Sequence, residues 1–84
     1  MFQVYILFSD TVNQFYVGHT SEELDERLRK HLSDHSGFTA KVKDWKIVYF
    51  EEFVDKSSAY QRELKIKSWK SKTKILELIK DSAG

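Results

Sequence analysis

The chain has 84 residues, of which 40% are hydrophobic and 14% aromatic, with a formal net charge of +1 and neither cysteine nor proline. That length suits one domain, here taken as residues 1–84, and the missing cysteines exclude disulfides and thiolate metal sites. No apolar run approaches the roughly 20 residues of a membrane span, and no signal-peptide pattern opens the chain, so the expectation is a cytoplasmic protein.

The first element is a strand over residues 2–8, a β-branched and aromatic run. Alternation puts Phe2, Val4, Ile6 and Phe8 on one face and Gln3, Tyr5 and Leu7 on the other. Residues 9–13 are polar and turn-forming, and residues 14–18 form a second short strand. A hairpin closed tightly at Asp10-Thr11 would set Ile6 opposite Phe15 and Tyr5 opposite Tyr16. A helix follows, opened by Thr20 and Glu23 in the spacing of a capping box. Leu24, Leu28 and Leu32 make its apolar stripe, with Arg27 and His31 beside it. Asp34 to Phe38 ends the helix, and Gly37 is its natural stop.

Residues 45–54 read as a third strand, partly buried on both faces. Asp55 or Ser57 caps a second helix running to about Trp69. Ser71 caps a third, Thr73 to Lys80, whose Ile75, Leu76, Leu78 and Ile79 face inward. The order β-β-α-β-α-α, with a hairpin first, predicts an α+β fold: a three-stranded, mostly antiparallel sheet flanked by helices. Charge divides unevenly along it. Residues 1–55 carry six Lys or Arg against ten Asp or Glu, whereas residues 56–84 carry eight against three. The basic part is either a surface that tracks phosphates or simply a solvated lysine-rich face.

No phosphate-binding loop, zinc-protease helix, calcium loop or nucleophile elbow occurs. What remains is two tyrosines on adjacent strands, an Arg/His pair one helical turn apart, and a later helical glutamate. Gln3-Val4-Tyr5 and Tyr16-Val17-Gly18 resemble the paired strands that name the GIY-YIG nuclease superfamily. Arg27 with His31 resembles its next element, and Ala59-Tyr60-Gln61-Arg62-Glu63 the segment with its acidic metal ligand. The likeness spans essentially the whole chain and is closest to short stand-alone members related to the N-terminal nuclease domain of the ABC excinuclease.

The resemblance implies a Mg²⁺- or Mn²⁺-dependent endonuclease acting on DNA, structured or single-stranded, in repair or recombination. Its site would be Tyr5, Tyr16, Arg27, His31 and Glu63. Glu63 would hold the metal and Arg27 a phosphate oxygen, while one tyrosine takes a proton from water and the other bonds the phosphate. Which tyrosine does which stays open. His31 would be a supporting or relay group. His19 is either a phosphate contact or an exposed turn residue, and Lys65, Lys67, Lys70 and Lys72 would hold nucleic acid. Gln3 replaces the first motif's glycine, and residues 64–84 lack the asparagine many relatives carry. The interval from Tyr16 to Arg27 is one residue longer than usual, a rotation of about 100° on a helix. Either the loop at His19–Ser21 absorbs it or Arg29 takes the role. Each group also has a structural reading: Tyr5 and Tyr16 as packing, Arg27 paired with Glu23, Glu63 with Lys67, Trp45 and Trp69 in the core. Two other functions are a nucleic-acid-binding module without turnover and a protein-interaction domain using exposed aromatics.

Overall fold

A computed structural model describes residues 1–33 and 37–83. The run Val4-Tyr5-Ile6-Leu7 is almost wholly solvent-excluded, because β1 (Phe2–Ser9) is the central strand of a sheet ordered β2-β1-β3 and is covered on both faces. Both pairings, with β2 (Gln14–Thr20) and with β3 (Lys46–Phe53), are antiparallel. Val4 and Ile6 pack with Val17, Ala59 and Ile66 on one face. Tyr5 and Leu7 pack with Trp45 on the other, beneath Leu24, Leu28 and Leu32 of α1 (Leu24–Ser33). The α+β expectation therefore holds, with α1 on one face and α2 (Lys56–Ser68) and α3 (Lys72–Ala83) on the other.

The hairpin is longer than a tight closure at Asp10-Thr11 allows. Tyr5 pairs with Gly18, Ile6 with Val17, Leu7 with Tyr16 and Phe8 with Phe15. The connection takes up Asp10 to Asn13, where Asn13 adopts φ +53°, a left-handed conformation that asparagine tolerates better than most residues. Asp44 pins this loop from across the fold. Its carboxylate accepts from Ser9 Oγ at 2.5 Å, Thr11 N at 3.0 Å and Thr11 Oγ1 at 2.9 Å. Those bonds hold its acid well down, to about 2. The register differs from expectation by two residues, so every side chain keeps its expected face.

The proposed capping box does not form. Thr20 is the last residue of β2, and its hydroxyl accepts from Glu22 N at 3.0 Å, while α1 begins only at Leu24. Of the stop expected over residues 34–38, residues 34–36 lie outside the described residues. Gly37, at φ +90°, precedes a 3-10 turn over Phe38–Lys41 rather than closing the helix directly. Asp55 caps α2, accepting from Ser58 N at 2.7 Å, and Ser71 Oγ caps α3 at Lys74 N, 3.2 Å. Ile75 and Leu78 pack inward as expected, but Leu76 is 52% exposed. It sits one position round the helix from Ile75, off the buried side. Trp45 is buried and donates its indole N–H to Thr39 O at 3.0 Å, and half-buried Trp69 packs on the core with Arg62 over its ring. Among the described residues no helix is long and apolar enough to cross a membrane.

Candidate active site

The α1 face of the sheet carries four of the five expected residues. Tyr5 from β1 and Tyr16 from β2 share that face by strand parity, their ring centroids 6.3 Å apart. Arg27 and His31 are one turn apart on α1 and so reach the same spot. Arg27 Nε donates to the Tyr5 hydroxyl at 3.1 Å, and that hydroxyl lies 2.7 Å from His31 Nε2. His31 Nδ1 lies 2.9 Å from Thr39 Oγ1, and both His31 and Thr39 are buried. These distances accommodate a series in which Arg27 donates to Tyr5, Tyr5 to His31 Nε2, and His31 Nδ1–H to Thr39. Tyr16 packs edge-on against the His31 ring at 4.9 Å and keeps part of its surface in solvent.

Residues 21–23 connect β2 to α1, and Arg27 meets Tyr5. Arg29 points elsewhere, exposed and bonded to Glu26 at 2.8 Å. Gly18 acquires a steric explanation. A Cβ built there would lie 2.6 Å from the Tyr5 hydroxyl oxygen and 2.7 Å from Cζ, so only glycine lets the ring lie across β2.

Glu63 sits on the other side of β2. His19, next in sequence to Gly18, points to the α2 face with Val17, and its Nδ1 meets Glu63 Oε1. The exposed-turn reading of His19 therefore fails: it is a half-buried strand residue. Glu63 is only 7% exposed, and its Oε2 accepts from Lys67 Nζ, the i+4 pair expected on structural grounds. Its neighbour Arg62 grips Glu51 of β3 through Nε at 3.0 Å and Nη2 at 3.0 Å. That fork fixes the rotation of α2 and turns Glu63 towards β2. Burial chiefly raises the Tyr5 phenol to about 12 against the lowering effect of Arg27, and the Glu63 carboxylate adds to the rise.

The lysines separate. Lys67 is at Glu63, but Lys65 lies two residues away, about 200° round the helix, and belongs to the outer side. Lys70 and Lys72 line a different cleft with Asn13 and Phe15, where Lys72 Nζ donates to Asn13 O at 2.5 Å. Sequence reasoning missed Thr39 as the partner of His31, because a threonine in an irregular segment carries no periodic signal. It paired Lys67 with Glu63 but not His19, since contact across 44 residues has no local signature.

A hard divalent cation is compatible with this donor set in one way only. No group of three or more His, Cys, Asp or Glu is placed to hold a metal among the described residues. Glu63 is then a lone, nearly buried carboxylate already paired with Lys67. Both its oxygens are bonded, to His19 and to Lys67, so a hard cation would have to share that carboxylate and take most of its ligands from water and phosphate oxygens.

Comparison with curated proteins and with solved structures gave no match. Comparison with protein families did: the GIY-YIG catalytic domain matches residues 1–75, from β1 into the start of α3. The sheet order, the tyrosine pair facing α1 and the glutamate on α2 all lie within that span. The chain belongs to the GIY-YIG family, whose catalytic domain is a nuclease.

Proposed function

We propose that the protein is a metal-dependent endonuclease that hydrolyses DNA phosphodiester bonds, using Tyr5, Tyr16, Arg27, His31 and Glu63. The observation that carries this reading is the bonded series Arg27–Tyr5–His31 with Tyr16 packed beside it.

Phosphodiester hydrolysis needs a deprotonated water, donors for charge growing on the phosphate, and help for the departing oxygen. Arg27 supplies the donors. With Nε held by Tyr5, its planar guanidinium is oriented, and the terminal nitrogens are what a non-bridging oxygen would meet. Tyr5 is poorly suited to be the base: its phenol, pushed up to about 12, stays protonated near neutrality. It acts instead as a positioning group for Arg27 and His31. The proton-accepting role falls to Tyr16, which retains solvent access beside His31. His31, anchored through Thr39, holds the Tyr5 hydroxyl in place and packs its ring against Tyr16. Glu63 would hold the divalent ion, with His19 on one carboxylate oxygen. When bound, the ion supplies Lewis-acid stabilisation of the leaving oxygen.

The test is nicking of supercoiled plasmid. Glu63→Ala should abolish it while circular dichroism and DNA binding persist, and Tyr16→Phe should lose more rate than Tyr5→Phe. Cleavage that survives Glu63→Ala or a chelator refutes the metal-dependent reading. Tyr5→Phe more damaging than Tyr16→Phe refutes the division of roles.

One observation favours a second reading. Both Glu63 oxygens already have protein partners, so the carboxylate is satisfied without a metal. A binding module would show salt-sensitive affinity, with a log–log slope near −0.9 per phosphate neutralised on duplex DNA, and no metal-dependent nicking.

A further inference from the structure

Lys56, Tyr60, Glu63 and Lys67 follow one another on α2 at spacings of four, three and four residues. Those spacings place them in one stripe along the helix, about 16 Å from end to end. Tyr60 is 48% exposed, a large aromatic left at the surface next to the carboxylate. Its ring meets the His19 ring edge-on, centroids 5.4 Å apart, and His19 in turn holds Glu63. Lys56, Ser57, Tyr60 and His19 line an open cleft of about 650 Å³. Asp55, at the head of the helix, has its carboxylate engaged with Ser58 and leaves the cleft to the cation.

We propose that this cleft takes an unpaired nucleotide of the substrate strand, its base stacked on Tyr60 and its flanking phosphate on Lys56, beside the bond presented to Glu63. The inference rests on the nuclease reading for the position of the bond. The choice of an unpaired nucleotide follows from the aromatic. A base inside a duplex has both faces covered by its neighbours, so an exposed ring gains a base only where one is already unstacked or is turned out. A site built for duplex backbone alone would present cations and no aromatic. Here the order along the stripe is cation, ring, carboxylate, cation. It matches a single strand whose phosphates and base contact the protein in turn. Tyr60 is thus a specificity residue, and the substrate class is a strand with an unpaired nucleotide at the cut: single-stranded, flapped or bulged DNA.

The experiment uses the whole protein in chelator, so that binding is read without cleavage. Fluorescein-labelled oligonucleotides of equal length are compared, one fully duplex and one with a single-stranded segment. The wild type should prefer the single-stranded segment. Tyr60→Ala should lose about 5- to 150-fold in affinity for it, the range seen when a base-stacking aromatic is removed, with duplex affinity unchanged. Tyr60→Phe should retain the preference, since stacking needs the ring and not the hydroxyl. A second readout is photocrosslinking of a 5-iodouracil in the unpaired segment, which should map to Tyr60. Equal affinity of wild type and Tyr60→Ala for both probes, an equal loss on both, or crosslinks elsewhere would each overturn the proposal. Glu63→Ala, assayed for nicking in Mg²⁺, separates the two ideas. If nicking survives while Tyr60 dependence holds, the metal-site reading falls and the nucleotide cleft stands.

Discussion

Gly18→Ala tests the packing at the centre of the site without presuming any activity. The added Cβ would sit 2.6 Å from the Tyr5 hydroxyl and 2.7 Å from Cζ, against the 3.4 Å at which ordinary contact begins. Tyr5 is 1% exposed and its hydroxyl is held by His31 at 2.7 Å and Arg27 at 3.1 Å, so the ring has little room to retreat. Moving it strains two hydrogen bonds, together about 2–3 kcal/mol, and overpacking adds about 1–3 kcal/mol. Against this, alanine in place of a strand glycine gains about 0.5–1 kcal/mol by restricting the unfolded chain. The clash wins, with a net destabilisation of about 2–5 kcal/mol, or a fall in Tm of roughly 10–40 °C for a domain of this size. Urea and thermal unfolding by circular dichroism measure it. The decisive comparison is a cycle with Tyr5→Leu, which removes the ring. In that background Gly18→Ala should cost much less, because the two shortest contacts are gone and only Tyr16 Cε1, at 3.1 Å, still crowds the Cβ. A cycle that is additive, or a Gly18→Ala protein as stable as the wild type, refutes the argument.

Three further outcomes follow from other parts of the chain. Asp44, held down to about 2 by Ser9 and Thr11, contributes stability that is present above the ordinary aspartate value near 4 and is lost as pH falls through about 2. The Tm gap between wild type and Asp44→Asn should therefore close over that window, and a gap constant down to pH 2 would contradict it. Lys70 follows α2 with φ +46°, a left-handed conformation costing a non-glycine residue about 1–2 kcal/mol, so Lys70→Gly should raise stability by up to about 1 kcal/mol after chain entropy is counted. A lowered Tm would be the contrary result. Tyr5 and Tyr49 are both pushed up to about 12, chiefly by burial, so their neutral forms support the fold below the ordinary tyrosine value near 10 and that support fades as pH climbs through 12. Tyr5→Phe and Tyr49→Phe should each leave the native phenolate absorbance at about pH 11 nearly unchanged. A clear drop in either variant would show an earlier ionisation.

The element order and the faces of the strands were readable from local pattern because alternation and helical spacing are properties of short stretches. Tyr5 and Tyr16 met on one face although the hairpin register was two residues off. A shift of two preserves face, and only the loop from Asp10 to Asn13, with its left-handed asparagine and no glycine, could have announced the longer closure. Thr20 misled because a threonine three residues before a glutamate looks alike whether it opens a helix or ends a strand. Continuation of β2 pairing to Gln3↔Thr20 decided it. Thr39 at His31, Asp44 at the hairpin loop and His19 at Glu63 are contacts across 8, 33 to 35 and 44 residues. No local pattern carries them.

Of these contacts His19–Glu63 involves β2 itself, and the alternation of β2 explains how one edge strand serves both sides of the sheet. Tyr16 and Gly18 face α1, the first contributing a ring and the second the space in which Tyr5 lies. His19 faces α2 and meets Glu63. The three positions must stay in this order and parity. A slip of one residue would send Tyr16 towards α2, carry His19 to the Tyr5 side, and put a side chain where the ring needs a glycine. Register is held from both ends, by Ser9↔Gln14 beside the Asp44-pinned loop and by Gln3↔Thr20 at the other end. Loosening the loop should therefore be felt at the tyrosines. In Asp44→Asn above pH 4, amide exchange along β2 should accelerate from Gln14 inward before α1 loosens. Exchange that rises uniformly through the fold would mean that the loop contributes global stability and not register.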